Sequence, residues 1–122
     1  MRRLALIALL GLAGCVTPSI PIPPPDPALM TFTVTVDGQG AITSASFEYP
    51  PTVSYVGGVA YVYNRSRGMG VIQAVNPNGS IGPTPSVAAT DNDQLVISVE
   101  NDEQTVSTCV LLKEGAPASY CP

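Results

Sequence analysis

Alternation with a period of two, cut every few residues by glycine, proline or asparagine, constrains this chain more than any other feature. Residues 31–36 read Thr-Phe-Thr-Val-Thr-Val, with Phe32, Val34 and Val36 on one face and threonines on the other. Successive side chains of a strand point to opposite faces, so such a run suits a sheet with one face buried. Residues 41–49 repeat the pattern with Ala45, Phe47 and Tyr49 together, and residues 95–100 do so with Leu95, Ile97 and Val99. Residues 105–112 align Val106, Val110 and Leu112. Residues 59–63 put Val59, Tyr61 and Tyr63 on one side and Ala60 and Val62 on the other; with residues 69–75 they read as a hairpin. Turn signals stand between the runs, among them Asp-Gly-Gln-Gly at 37–40, Asn-Pro-Asn-Gly at 76–79 and Asn-Asp-Glu-Gln at 101–104. Residues 53–56 read as a short edge strand, and residues 80–88, broken by Gly82, Pro83 and Pro85, as an edge or crossover. No window beyond the first residues sets apolar side chains at helical spacing over three turns. About seven or eight short strands predict an all-β fold, an antiparallel two-sheet sandwich.

The amino terminus follows different rules. Met1-Arg2-Arg3 precedes the apolar residues 4–12, and small residues follow. That is the anatomy of a secretory signal, and the apolar run falls well short of the roughly 20 residues that span a bilayer as a helix. Leu12-Ala13-Gly14-Cys15 resembles the lipobox of bacterial lipoprotein precursors. The resemblance implies a diacylglyceryl group on the Cys15 thiol, removal of residues 1–14 as signal peptide, and acylation of the new amino terminus. Two or three acyl chains make a membrane attachment effectively permanent. An ordinary secretion signal, leaving Cys15 free, and an uncleaved anchor are the alternatives. In enteric-type lipoproteins an aspartate after the cysteine signals inner-membrane retention; Val16 stands there, which points to the outer membrane.

Without residues 1–14 the chain holds 108 residues, enough for one small domain. Its three cations, Arg65, Arg67 and Lys113, face nine acids, a net charge of −6. Such a surface is wrong for nucleic acid and is repelled by anionic head groups, so lipid and not protein charge would hold it to a membrane. The chain has no histidine. The commonest general base and the commonest zinc ligand are therefore missing, and the expectation is a protein that is not an enzyme. Cys109 and Cys121 remain after lipidation. In the oxidising compartment of an exported protein they would pair, closing a loop worth roughly 3 kcal/mol in the chain-entropy model and pinning the tail onto the last strand. Their spacing does not suit a CxxC-type redox pair.

Residues 17–27 contain six prolines. Proline fixes φ and donates no hydrogen bond, so residues 17–27 are expected to be extended polyproline II spanning about 30–35 Å, within a stretch 15–29 of lipidated cysteine and tether that precedes a domain of residues 30–122. Docking into an aromatic-lined groove is the other use of such a segment. Within the domain, Gly58-Val-Ala-Tyr-Val-Tyr-Asn64 leads to a returning strand, the turn Asn78-Gly79-Ser80, the acidic turn Asp91-Asn92-Asp93, an alternating strand and a final strand. This order is similar to that of bacterial immunoglobulin-like modules and implies an immunoglobulin-like sandwich. Pro83, Pro85 and the C-terminal cysteine pair depart from it.

Two constellations suggest ligands. Tyr61 and Tyr63, facing outward with Arg65 nearby, would make a platform for sugar or peptide; alternatively one of them packs in the core. Asp91, Asp93 and Asp102 offer hard oxygen ligands in turns, as calcium prefers, although they lack the spacing of the calcium-loop motif. No other cofactor is indicated. The expected role is a membrane-anchored envelope lipoprotein with a binding or structural domain. A carbohydrate- or peptidoglycan-binding module is one alternative. Another is an accessory subunit of an envelope complex that offers residues 53–56 as an unpaired edge.

Overall fold

The alternating runs become strands because each can bury one row of side chains against the other sheet. The computed structural model describes residues 21–113 and 118–122. Its strands are β1 (Thr31–Val36), β2 (Ile42–Glu48), β3 (Val59–Asn64), β4 (Met69–Ala74), β5 (Val87–Ala88), β6 (Gln94–Asn101), β7 (Gln104–Leu111) and β8 (Ser119–Tyr120). They form two antiparallel sheets, ordered β1-β2-β5 and β4-β3-β6-β7-β8. The first, second and fifth strands on one sheet face the fourth, third, sixth and seventh on the other, a two-sheet antiparallel sandwich. β8 is an addition at the last edge. The Cys109–Cys121 disulfide puts it there, and the Cys121 N–H donates to the Cys109 carbonyl at 2.9 Å.

Phe32, Ala45, Phe47 and Tyr49 from the smaller sheet meet Ala60, Val62, Leu95, Ile97, Val99, Val110 and Leu112 from the larger one. The aromatic rings run in series, Phe32 to Phe47 at 5.4 Å, Phe47 to Tyr49 at 6.2 Å and Tyr49 to Tyr55 at 5.9 Å. This line leads from the middle of the sandwich to one end.

At that end two expectations need correction. Residues 53–56 are not an edge strand. Val53–Tyr55 is a single 3-10 turn, closed by the Tyr55 N–H on the Thr52 carbonyl and the Val56 N–H on the Val53 carbonyl. Between Pro50-Pro51 and Gly57-Gly58 the chain turns, dropping Tyr55 fully into the core while Val53 stays 90% exposed. The accessory-subunit alternative therefore loses the edge it relied on.

Nor is the whole proline segment a free tether. Residues 21–29 lie along the domain, with Ile22, Pro25 and Pro27 buried. The Ile22 N–H donates to Oε1 of Gln104 at 3.0 Å, and the Asp26 N–H to the Tyr49 hydroxyl at 2.8 Å. In return the Tyr55 hydroxyl donates to the Pro23 carbonyl and the Thr108 hydroxyl to the Pro25 carbonyl, each at 2.6 Å. Polyproline II leaves every carbonyl without an internal partner, so hydroxyls set at the right height can hold it. The ordered domain begins at least as early as residue 21. Residues 15–20, the rest of the expected tether, lie outside the described residues, as does Cys15.

Candidate functional site

β3 has two alternating rows, and the residue that decides which one faces inward is Asn64. Its side chain is fully buried at the strand's end. Nδ2 donates to the Ala88 carbonyl and to Asp93 Oδ2, each at 2.9 Å, and Oδ1 accepts from the Ser66 N–H at 3.0 Å. Asp93 Oδ2 also accepts from the Thr90 N–H at 3.0 Å and from Arg67 Nε at 3.2 Å. This network ties the ends of β3, β5 and β6 together across the two sheets. Burial pushes the Asp93 carboxyl up, but the bonds from Asn64, Thr90 and Arg67 outweigh it and hold its pKa below the usual carboxylate value.

With Asn64, Val62 and Ala60 inward, Val59, Tyr61 and Tyr63 must face out. The alternative that placed one tyrosine in the core is thereby overturned. Tyr61 is half-buried and its hydroxyl lies 3.4 Å from Glu100 Oε2, while Tyr63 is 45% exposed. Gly70, paired with Tyr63, lets β4 lie close to β3: a Cβ there would sit 2.5 Å from the Val62 carbonyl oxygen and 2.9 Å from Tyr63 Cα, and 3.3 Å from the ring at Cδ2. Bare glycine beside an aromatic ring opens a shallow groove of about 250 Å³, lined by Tyr61, Val62, Tyr63, Gly70, Val71 and Ile72. Its lining is mostly apolar and carries no charged side chain. Such a surface can stack against the apolar face of a sugar ring or along an extended peptide; it offers no acid–base pair. Arg65, two residues beyond Tyr63, is held on Gln94, Nε to Oε1 at 2.6 Å and N–H to carbonyl at 3.0 Å. It does not line the groove.

The three aspartates do not meet. Asp93 precedes β6 and Asp102 follows it, so the strand's full length separates them. Asp93 is committed to the network above, and Asp91 lies 3.9 Å from the Lys113 ammonium. Among the described residues no group of three or more histidine, cysteine, aspartate or glutamate side chains is placed to hold a metal ion. Asp91, Asp93 and Asp102 share only their placement in turns.

A second depression, about 370 Å³, opens between the Pro27–Leu29 turn and the bridge pairing Tyr49 with Ile81. Glu48 is the carboxylate that lines it. Sequence reasoning missed it because one wall comes from the segment expected to be a tether. Compared with protein-family models, curated proteins and solved structures, the chain gives no match.

Proposed function

We propose that this is a lipid-anchored protein of the bacterial cell envelope, whose immunoglobulin-like sandwich presents a binding or structural surface and performs no catalysis. The observation that carries the reading is the Cys109–Cys121 bridge. It uses two of the three cysteines and belongs to an oxidising compartment. The thiol that remains is Cys15, at the end of Leu-Ala-Gly-Cys, where the lipobox resemblance puts the lipid. Val16 favours the outer membrane, and the similarity to bacterial immunoglobulin-like modules favours a holding role. Mass spectrometry of the mature amino terminus tests the anchor. A triacylated or diacylated Cys15 is expected, and an unmodified Cys15 thiol overturns the reading.

The outward tyrosines favour a second reading, a carbohydrate-binding module of the envelope, with peptidoglycan among its candidate ligands. Tyr61 and Tyr63 would stack on sugar rings along the groove. Retention on insoluble polysaccharide should fall in Tyr61→Ala and Tyr63→Ala, whereas equal retention of parent and variants removes this reading and leaves the anchor untouched.

A further inference from the structure

β4 is the outer strand of the five-stranded sheet, and no described residue pairs with its far side. The register shows which backbone groups face outward. The Val75 N–H donates to the Gly58 carbonyl at 3.0 Å, so Gly58 and Val75 form a hydrogen-bonded pair. In an antiparallel ladder such pairs alternate, so Ala60–Gln73 and Val62–Val71 are bonded too. The N–H and C=O groups of Gly70, Ile72 and Ala74 therefore point away from β3. Their residues are exposed, Ile72 at 67%.

Sheet edges are normally blunted by charge, proline, a bulge or extreme shortness. β8 is two residues long, and β1 breaks register between Thr35 and Val36. β4 has no such device: Met-Gly-Val-Ile-Gln-Ala is uncharged, six residues long and regular in pairing.

We propose that two copies of this chain pair through β4, antiparallel about a two-fold axis normal to the sheet, joining two five-stranded sheets into one. The axis passes through Ile72, which faces Ile72 of the second copy, and Gly70 faces Ala74. This register keeps the outer faces on one side and engages all the outward groups of residues 70, 72 and 74 in about six hydrogen bonds. It also brings the two tyrosine grooves side by side, with the Ile72 pair between them.

Charge selects a second copy as the occupant. The β3–β4 turn carries Arg67, whose charge Asp93 already partners, and Arg65, which is held only on the neutral Gln94 and gives the turn its net positive charge. Glu100 closes the row Ala74–Val59–Glu100 at the other end of the sheet, and Asp102 and Glu103 follow in the next turn. Antiparallel apposition sets the cationic turn of each copy toward the acidic end of the other, twice by symmetry. A parallel arrangement would align like with like.

The test is cross-linking and sedimentation of the full chain. Ile72→Cys should form a chain-to-chain disulfide under mild oxidation, while Thr33→Cys on β1 should not. The parent should sediment as a dimer, and Ile72→Lys, which sets two ammonium groups against each other, should weaken dimerisation at least tenfold. Unchanged circular dichroism of Ile72→Lys shows that the fold is kept. A parent that stays monomeric up to about 100 μM, together with an Ile72→Cys variant that forms no cross-link, overturns the proposal. So does a dimer that cross-links through Thr33→Cys instead, or β4 occupied by a strand of another envelope protein.

Discussion

The Tyr55 hydroxyl donates to the carbonyl of Pro23 across 2.6 Å, joining a fully buried aromatic of the core to a segment 32 residues earlier in the chain. The bond explains why the Val53–Tyr55 turn exists: it sinks a phenol ring under the end of the sandwich with its oxygen at the rim. Burial raises the pKa of that phenol, and the neighbouring Tyr49 adds to the effect, so the group stays a donor at any physiological pH. Tyr55→Phe keeps the ring and removes the bond. The Pro23 carbonyl belongs to an exposed residue and can turn to water, so the cost should be modest, about 0.5–1.5 kcal/mol by urea denaturation. The effect should also be local. Hydrogen exchange should speed at the Ile22 and Asp26 amides, and unchanged exchange there would mean that the proline segment is held without Tyr55.

A second prediction concerns Asp93. Asp93→Ala leaves the buried Asn64 amide and the Thr90 N–H each short of an acceptor, which should cost about 1–3 kcal/mol. The pH dependence follows from the direction of its shift. A carboxyl with a folded pKa below its unfolded value stabilises fully above the unfolded value, near 3.9, and loses that contribution as pH falls through the folded one. The stability gap between the parent and Asp93→Asn should thus be level from about pH 5 to 8 and shrink below about pH 4. A gap that widened on acidification would contradict the network.

The sandwich itself was legible because its signal is local. Phe32, Ala45, Phe47, Leu95, Ile97 and Val99 all sit in strictly alternating runs, and each is buried as that alternation predicts. What was not legible depended on partners far away in sequence. Composition alone makes residues 21–29 a spacer; only Gln104, Tyr49, Tyr55 and Thr108, brought there by the fold, make them part of the domain. β3 was ambiguous for a related reason. Val59-Tyr61-Tyr63 and Ala60-Val62-Asn64 are both plausible inner rows, and the heavier row lost because Asn64 is bonded across the interior to Ala88 and Asp93. Residues 53–56 show the limit of short apolar runs, which suit a strand or a buried turn equally well.

The disulfide makes a third prediction. Cys109 and Cys121 are 12 residues apart, and closing such a loop removes unfolded-state entropy worth about 3 kcal/mol. Without the bridge, the tail keeps the two-residue pairing of β8 to Val110 and Leu111 and the backbone bonds from Cys121 to Cys109 and from Ala118 to Pro27. Cys109→Ser/Cys121→Ser should lower stability by about 2–4 kcal/mol and expose the tail to proteases while the β6–β7 hairpin stays formed. Equal stability with and without reductant would show that β8 adds nothing to the fold.

The last prediction runs toward greater stability. β6 and β7 are joined by a two-residue turn, Asp102 and Glu103, with φ of 54° and 63°. Positive φ at both central positions defines the type I′ hairpin turn, whose twist matches the strands it joins and which favours Asn-Gly or Asp-Gly. Glutamate has no side-chain bond that suits the left-handed region, and its Cβ costs roughly 1–2 kcal/mol there. Glycine would remove that cost, less the roughly 0.5–1 kcal/mol of extra chain entropy it loses on folding. Glu103→Gly should thus stabilise the domain by about 0.5–1 kcal/mol, read as a higher urea midpoint at unchanged m-value. The same change removes one acid from the end of the sheet that the proposed dimer sets toward Arg65 and Arg67. If that pairing holds, the more stable variant should also dissociate more readily at low salt, and a variant that gained stability and dimer affinity together would argue against the charge arrangement.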